Sequence, residues 1–259
     1  DLLTGKILAA LHPSISTEIK GFEKIDPDFE GYFDVAASNI PFGDFAVADP
    51  RYATSKEIAY RQSTKAIHNY FFLKSLDSVH EGGIVAFIAS QGVMNAASLF
   101  VRMEMMRRAD LVGAFRLPNN TFSGTEIVAD ILILKKGYRE NLSGNLQWVD
   151  TADNTGRVEV NRYFAQHPEH VFGKLSNSGK MYGKLNTPTV LPDGKSLKEH
   201  FDIARKEFMP ALPEGPENTD LFGNALPEAT APKVEVISYA NRTDIPEEKE
   251  PPENCREYS

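Results

Sequence analysis

Ile84-Val85-Ala86-Phe87-Ile88-Ala89 is a continuous apolar run of strand length. No polar residue alternates within it, as expected for a parallel-sheet strand covered on both faces. Upstream, residues from about Lys56 to Val79 carry a helical period, with Ile67, Tyr70, Phe71, Leu73 and Leu76 on one broad face and Glu81-Gly82-Gly83 as the helix end. Before that helix, Tyr32 to Ser38 reads as a buried strand that stops at a sharp Asn39-Ile40-Pro41-Phe42-Gly43 turn. Downstream, Ser98 to Arg108 reads as a helix with Phe100, Met103 and Met106 inward, and Leu111 to Leu117 as a strand. A polar loop, Pro118 to Thr125, leads to a last strand, Val128 to Leu134. No helix fits between these two strands, so they are expected to pair antiparallel. Leu2 to Leu11 is a helix stopped by His12-Pro13, and Ile19-Lys20-Gly21-Phe22 is a short strand candidate. The expected architecture is a doubly wound α/β sheet with an antiparallel final strand.

Beyond Lys136 the patterns weaken. Gln147-Trp148-Val149 and Arg157-Val158-Glu159-Val160 suggest a short hairpin, and Ser196 to Phe208 a short helix, so 137–209 is expected to be a partly structured connector after a domain at 1–136. The chain of 259 residues carries a net charge of −8, but residues 210–259 alone hold 11 Asp/Glu, 4 Lys/Arg and 8 of the 16 prolines. That stretch reads as an acidic disordered tail. The near-neutral remainder is free to meet nucleic acid through a local basic patch. A single cysteine, Cys255, excludes a disulfide framework and suits a reducing cytoplasm. No apolar run approaches the roughly 18 residues of a membrane span.

In open α/β sheets ligands bind beyond the C-terminal strand ends, where Ser38 to Asp44 and Asn119 to Thr125 fall. An Asn amide oxygen and a neighbouring backbone carbonyl can accept both N–H groups of one amine, while an adjacent aromatic ring offers a stacking face. That suits the exocyclic amine of a nucleobase, which must be flipped out of a duplex to reach such a pocket. Asn and Pro are also ordinary turn formers, and a plain strand-to-loop turn is the alternative.

Asp34 to Phe42 resembles the (N/D/S)-P-P-(Y/F/W) motif of N6-adenine DNA methyltransferases, with Ile40 in place of the first proline. That departure is similar to the methylase parts of very large methylase–helicase fusions of phages and conjugative elements. Four ordered blocks carry the resemblance: Asn39 to Asp44, Ile67-His68 through Gly83, Arg116-Leu117-Pro118-Asn119-Asn120-Thr121-Phe122, and Gly124-Thr125 followed by Asp130-Ile131-Leu132. It extends to about residue 175 through Asn161-Arg162-Tyr163-Phe164 and His167-Pro168-Glu169-His170.

The resemblance implies the C-terminal part of a Rossmann-like methyltransferase sheet that uses S-adenosylmethionine on adenine in DNA, with a helicase domain of the same polypeptide as a further partner. Asn39 and the carbonyl of Ile40 or Pro41 would grip the amine and Phe42 would stack on the ring. Phe122 would supply a second aromatic face, unless it is a plain core residue. Glu23, with Phe22 beside it, matches an acid that contacts the cofactor's adenine, although a solvated surface acid fits as well. Asp44 lines the cofactor site or caps a turn.

Such enzymes hold the methionine part of the cofactor with a glycine-rich turn after the first strand and the ribose with an acid after the second. The sequence has no such G-x-G; Gly82-Gly83 precedes a strand, and Leu3-Thr4-Gly5-Lys6 lacks the upstream glycine and strand of a phosphate-binding loop. The chain is therefore expected to be inactive alone. Arg102, Arg107 and Arg108 on one helix, and Lys135 and Lys136 after the last strand, are candidate phosphate contacts, against a merely solvated role. No metal is expected: His167-Pro168-Glu169-His170 reads as a surface turn. The rival readings are a non-catalytic DNA-binding or assembly component, and a methyltransferase acting on cytosine N4, RNA adenine or protein glutamine.

Overall fold

The computed structural model describes residues 2–43, 45–137, 148–153, 158–181 and 184–208, and the expected acidic tail lies outside them. The main sheet contains β1 (Phe33–Asn39), β2 (Val79–Ser90), β3 (Ala109–Arg116) and β4 (Ala129–Lys136), in the order β1-β2-β4-β3. β1 runs parallel to β2, whereas β4 runs antiparallel to both of its neighbours. The chain is thus a mixed α/β fold whose final strand is inserted antiparallel, as its short link to β3 requires.

The crossover from β1 to β2 passes through α2 (Pro50–Ala53), α3 (Ile58–Ser63) and α4 (Ile67–Ser78). α4 lays Tyr70, Phe72, Leu73 and Leu76 fully buried onto the sheet, each contributing roughly 1.5–3 kcal/mol on removal from water. α5 (Gly92–Asn95) and α6 (Phe100–Arg108) then lead from β2 to β3.

Several expectations need correction. The single helix expected over 56–79 is broken, because Ser63 and Thr64 return their hydroxyls to the carbonyls of Tyr60 and Arg61 and Ala66 is extended. β2 then begins at Val79, so Gly82 and Gly83 lie inside the strand and do not cap a helix. A Cβ on Gly83 would stand 3.0 Å from the Asp34 carbonyl, so the close approach of β1 requires glycine there. α6 turns Val101, Arg102, Met105 and Met106 inward and leaves Phe100 and Met103 exposed, a rotation set by burial of Arg102. Ile19–Phe22 forms no strand; Phe22 opens a 3-10 turn and stacks on Phe71 at 4.4 Å. β1 is a sheet edge with most of its residues exposed, Val35 at 56%, and not the buried strand its apolar content suggests. α1 (Leu2–Leu11) forms as expected but buries none of its residues.

Residues after 147 add to the same core. β5 (Thr151–Asp153) and β6 (Glu159–Asn161) make the expected hairpin, shifted along the chain so that Trp148 and Val149 precede it as core residues; Gln147 and Arg157 lie outside the described residues. α7 (Arg162–Gln166) follows directly. Asn161 locks this part in place. Its Nδ2 donates to the carbonyls of Met94 and Trp148 at 2.8 Å each, while its Oδ1 accepts the Tyr163 N–H and caps α7. Phe164, Val171 and Val190 join the main core. A second hairpin, β7 (Lys174–Met181) with β8 (Lys184–Leu191), was not expected from its polar sequence; α8 (Leu197–Phe208) was.

Candidate active site

β1 ends at Asn39, opposite Ile88 of β2, so the turn that follows sits at the C-terminal edge of the parallel pair. The Ile40 N–H donates to the Ile88 carbonyl at 3.0 Å, and the Ile40 side chain is 2% exposed in the core. This pins the turn from beneath. Asn39 and Pro41 face solvent, and the Asn39 amide makes no hydrogen bond to another described residue. A carboxamide held at a strand end with its hydrogen-bonding groups uncommitted is available to a ligand.

The second polar loop arrives at the same place. Leu117 N–H donates to the Ala129 carbonyl, closing the base of the loop, and Asn119 N–H donates to the Val190 carbonyl of β8. Thr121 folds back on the Pro118 carbonyl at 2.7 Å. Phe122 thereby meets Phe42 edge-on, ring centroids 6.1 Å apart at 76°. Both rings are half-buried and pack against the small core cluster of Phe115, Leu117, Ala129, Phe172 and Ala204. Two residues well separated in sequence, one of them in the Asn39 turn, are thus brought together, each with surface left for a partner.

Beneath that loop lies an ion pair that sequence reading did not single out. Arg116, last in β3, and Asp130, opposite it in β4, are both buried and form a bidentate pair at 2.7 and 2.8 Å. Arg116 also donates to Asn95 Oδ1 and lies 4.4 Å from the Phe164 ring centroid. The pair fixes both roots of the Phe122 loop. Its sequence signal was the cross-strand register, which is legible only once the β3–β4 pairing is known.

On the other side of Phe42 a cleft of about 240 Å³ opens between the β7–β8 hairpin and the sheet end. Gln91, Val128, Lys180 and Thr189 are among its walls. Gln91 ties these walls together: its N–H donates to the Val128 carbonyl and its Nε2 to the Pro188 carbonyl at 3.0 Å.

The residues expected to hold the cofactor are placed less simply. Phe22 has one face on Phe71 and its edge toward Tyr70. The Glu23 carboxylate folds back over Gly21, and its carbonyl accepts from Lys74 Nζ at 3.2 Å. The pair offers an aromatic ring and an acid in one turn, which fits the adenine end of S-adenosylmethionine only. Asp44 lies outside the described residues.

Most of the basic residues expected to meet DNA are engaged within the fold. Arg102 is 1% exposed and donates to the backbone carbonyls of Val149, Val93 and Ala96; burial lowers its guanidinium to about 10. It is a strut of the fold, out of reach of phosphate. Arg108 pairs with Asp77 and Tyr60, and Lys136 donates to the Val79 carbonyl at 2.7 Å, with burial lowering its ammonium. Arg107 binds Glu104 and Glu57. Lys135 is exposed, but it sits opposite Ile84 while Asn39 sits opposite Ile88. At about 3.3 Å per residue this is roughly 13 Å further down the sheet.

His167, Glu169 and His170 bring three potential ligand atoms within 4.8 Å. Each ring is held by the fold: His167 Nδ1 lies 3.1 Å from Glu169, and His170 Nδ1 lies 2.8 Å from the Tyr163 hydroxyl, which accepts from the Ala114 N–H. Among the described residues no helix is long and apolar enough to cross a membrane.

Known proteins resemble this chain in a consistent way. Over 141 residues, 52% of the chain, it is 29% identical to the defense against restriction protein B of Escherichia phage P1, and it spans only 6% of that protein's length. Among solved structures, the M protein of the type I restriction enzyme EcoKI matches with a TM-score of 0.41 and 19% identity, covering 52% of this chain and 29% of that one. A type I restriction-modification methyltransferase subunit from Streptococcus thermophilus matches at 0.36 and 20% identity, over 47% and 26%. The family model for N-6 DNA methylases matches residues 18–181, which carry the main sheet, the Asn39 turn and the Phe122 loop. The chain belongs to the N-6 DNA methylase family.

Proposed function

We propose that the chain forms the target-base part of a site that transfers a methyl group from S-adenosylmethionine to the N6 amine of an adenine flipped out of DNA. The observation that carries this reading is the meeting of the Phe42 and Phe122 rings at a strand-end turn whose exposed Asn39 amide is bonded to no described residue. The Asn39 side-chain oxygen and the carbonyl of Ile40 or Pro41 accept the two N–H groups of the amine, which orients its lone pair. Phe42 stacks on the purine ring and Phe122, edge-on to Phe42, offers a second aromatic surface against the base; stacking of a base on an aromatic ring is worth about 1–3 kcal/mol. The pinned Ile40 backbone keeps the acceptors from swinging, so positioning is already built into the fold. When bound, S-adenosylmethionine supplies an activated methyl group, and the amine then loses its extra proton to water.

Phe22 and Glu23 are proposed to meet the cofactor's adenine, so the chain by itself would not complete the cofactor site. It would act within a longer cytoplasmic polypeptide, as the small share of the phage relative that it spans suggests, with DNA and a helicase part of that polypeptide as partners. The test is methyl transfer by the longer natural polypeptide to DNA, RNA and protein offered together. N6-methyladenine in DNA is the expected product. N4-methylcytosine, methylated RNA or methylated glutamine would replace this reading with a rival one.

A further inference from the structure

Resting on the reading of Phe22 and Glu23 as the adenine end of the cofactor site, we infer that Lys74 is a positioning residue for S-adenosylmethionine. It fixes the Phe22–Glu23 turn before the cofactor arrives. Lys74 is 3% exposed, and its Nζ donates to two acceptors, the Glu23 carbonyl at 3.2 Å and the Asp49 carboxylate at 3.1 Å. Phe71, one helical turn earlier on the same face of α4, stacks on the Phe22 ring at 4.4 Å. The Lys74 ammonium also lies 5.8 Å from the centroid of that ring. α4 thus grips the turn twice, by an aromatic face and by a buried cation on its main chain.

The turn's own hydrogen bonds are local, from the Lys24 N–H to the Gly21 carbonyl and from the Ile25 N–H to the Phe22 carbonyl. None of its three residues is fully buried, and neither is any residue of α1 before it. A Cβ on Gly21 would collide with the Glu23 carboxylate, so glycine keeps room for the acid where it stands. Stability alone does not account for the lysine. A well-packed apolar pair can replace a buried ion pair nearly without cost, so apolar side chains at 49 and 74 would serve the core as well. Such a side chain has no donor for the Glu23 carbonyl. What the ammonium adds is the position of one main-chain atom of the turn. A loop ordered before binding spares the ligand the cost of ordering it.

Calorimetric titration of S-adenosylmethionine alone into the full-length natural protein tests this, with melting curves for every variant. The double variant Asp49→Leu, Lys74→Met should raise the Kd by about tenfold or more, the lower end of what a hydrogen bond to a charged group is worth. Asp49→Asn keeps the Lys74 contact with Glu23 and should leave the Kd within about threefold of wild type, while melting lower. In methyl-transfer assays the double variant should raise KM for S-adenosylmethionine by the same factor and leave kcat within about threefold, as expected when only binding is lost. Glu23→Ala, at the adenine end itself, should also weaken binding. A double variant that binds like wild type while Glu23→Ala binds weakly overturns the role of Lys74 and leaves the reading of Glu23 standing. Loss of affinity in both Asp49 variants in step with their melting temperatures would show a general loosening of the fold and overturn it equally. Unchanged affinity in Glu23→Ala, or no binding by wild type, would remove both.

Discussion

Removing the Asp49 carboxylate should unfold the body of this protein far more readily than its place in a connecting loop suggests. Asp49 is 2% exposed and Lys74, on α4, is 3% exposed; their charged atoms lie 3.1 Å apart. The same carboxylate accepts from the Tyr70 hydroxyl at 2.7 Å and, as the N-cap of α2, from the Arg51 N–H at 3.0 Å. Asp49→Ala leaves the Lys74 ammonium buried among the rings of Phe22, Tyr52 and Tyr70, with the Glu23 carbonyl as its remaining hydrogen-bond acceptor. Breaking a buried pair from one side costs about 3–5 kcal/mol, and loss of an N-cap about 1 kcal/mol. The aromatic faces recover part of this by cation–π attraction, so a net loss of about 4 kcal/mol is expected. For a domain of this size about 2–4 °C is lost per kcal/mol, giving a melting temperature lower by roughly 8–16 °C. Thermal unfolding followed by circular dichroism reads it directly. The double variant Asp49→Leu, Lys74→Met should recover at least half the loss, because an apolar pair can replace a buried ion pair nearly without cost. A single variant within about 1 kcal/mol of wild type, or a double variant as damaged as the single, would refute the reasoning.

Burial alone would raise the Asp49 carboxyl, but hydrogen bonds from Tyr70 and Lys74 and the Lys74 charge outweigh it and hold the group below the ordinary aspartate value. Its stabilising contribution is therefore complete above the unfolded value near 3.8 and is lost as pH falls from there toward the lower folded value, which an acid titration of unfolding in wild type and Asp49→Asn should reveal. Arg102→Ala should lower fold stability by about 3 kcal/mol, the scale for buried hydrogen bonds to a charged group, while the salt dependence of DNA binding stays unchanged. Lys135→Ala should leave both fold stability and DNA affinity unaltered within error, as measured by melting and by filter binding. Phe122→Leu should lower kcat/KM for methyl transfer by about 5- to 150-fold, matching one lost stacking contact of about 1–3 kcal/mol, with a far smaller effect on melting.

The sheet was legible because its signals are local. The unbroken run at 84–89, the short link before Val128 and the apolar last strand impose a central strand and an antiparallel finish on any α/β packing. The Asn39–Phe42 turn and Phe122 were legible as motifs, although their meeting depends on how β4 slots between β2 and β3. Charged residues misled the reading of α6. Arg102 resembles a surface arginine in sequence, and its burial depends on carbonyls of Val93 and Ala96 before its helix and of Val149 from a distant segment. The β7–β8 hairpin escaped for a related reason. Lys174 to Leu191 is polar, with Gly179 and Pro188 interrupting any strand pattern, and its stability comes from pairing with itself and from Val190 in the core. The cleft at Phe42 could not be foreseen without that hairpin.

The most direct test of the central claim follows labelled methyl groups from S-adenosylmethionine in the full-length natural protein, with Asn39→Ala beside wild type and melting curves for both. The account predicts label at adenine N6 in DNA that falls by at least about a hundredfold in Asn39→Ala, the scale for losing one positioned hydrogen-bonding group. The melting temperature should be unchanged, because the exposed amide supports no described neighbour. Undiminished label in Asn39→Ala would contradict the role given to this turn.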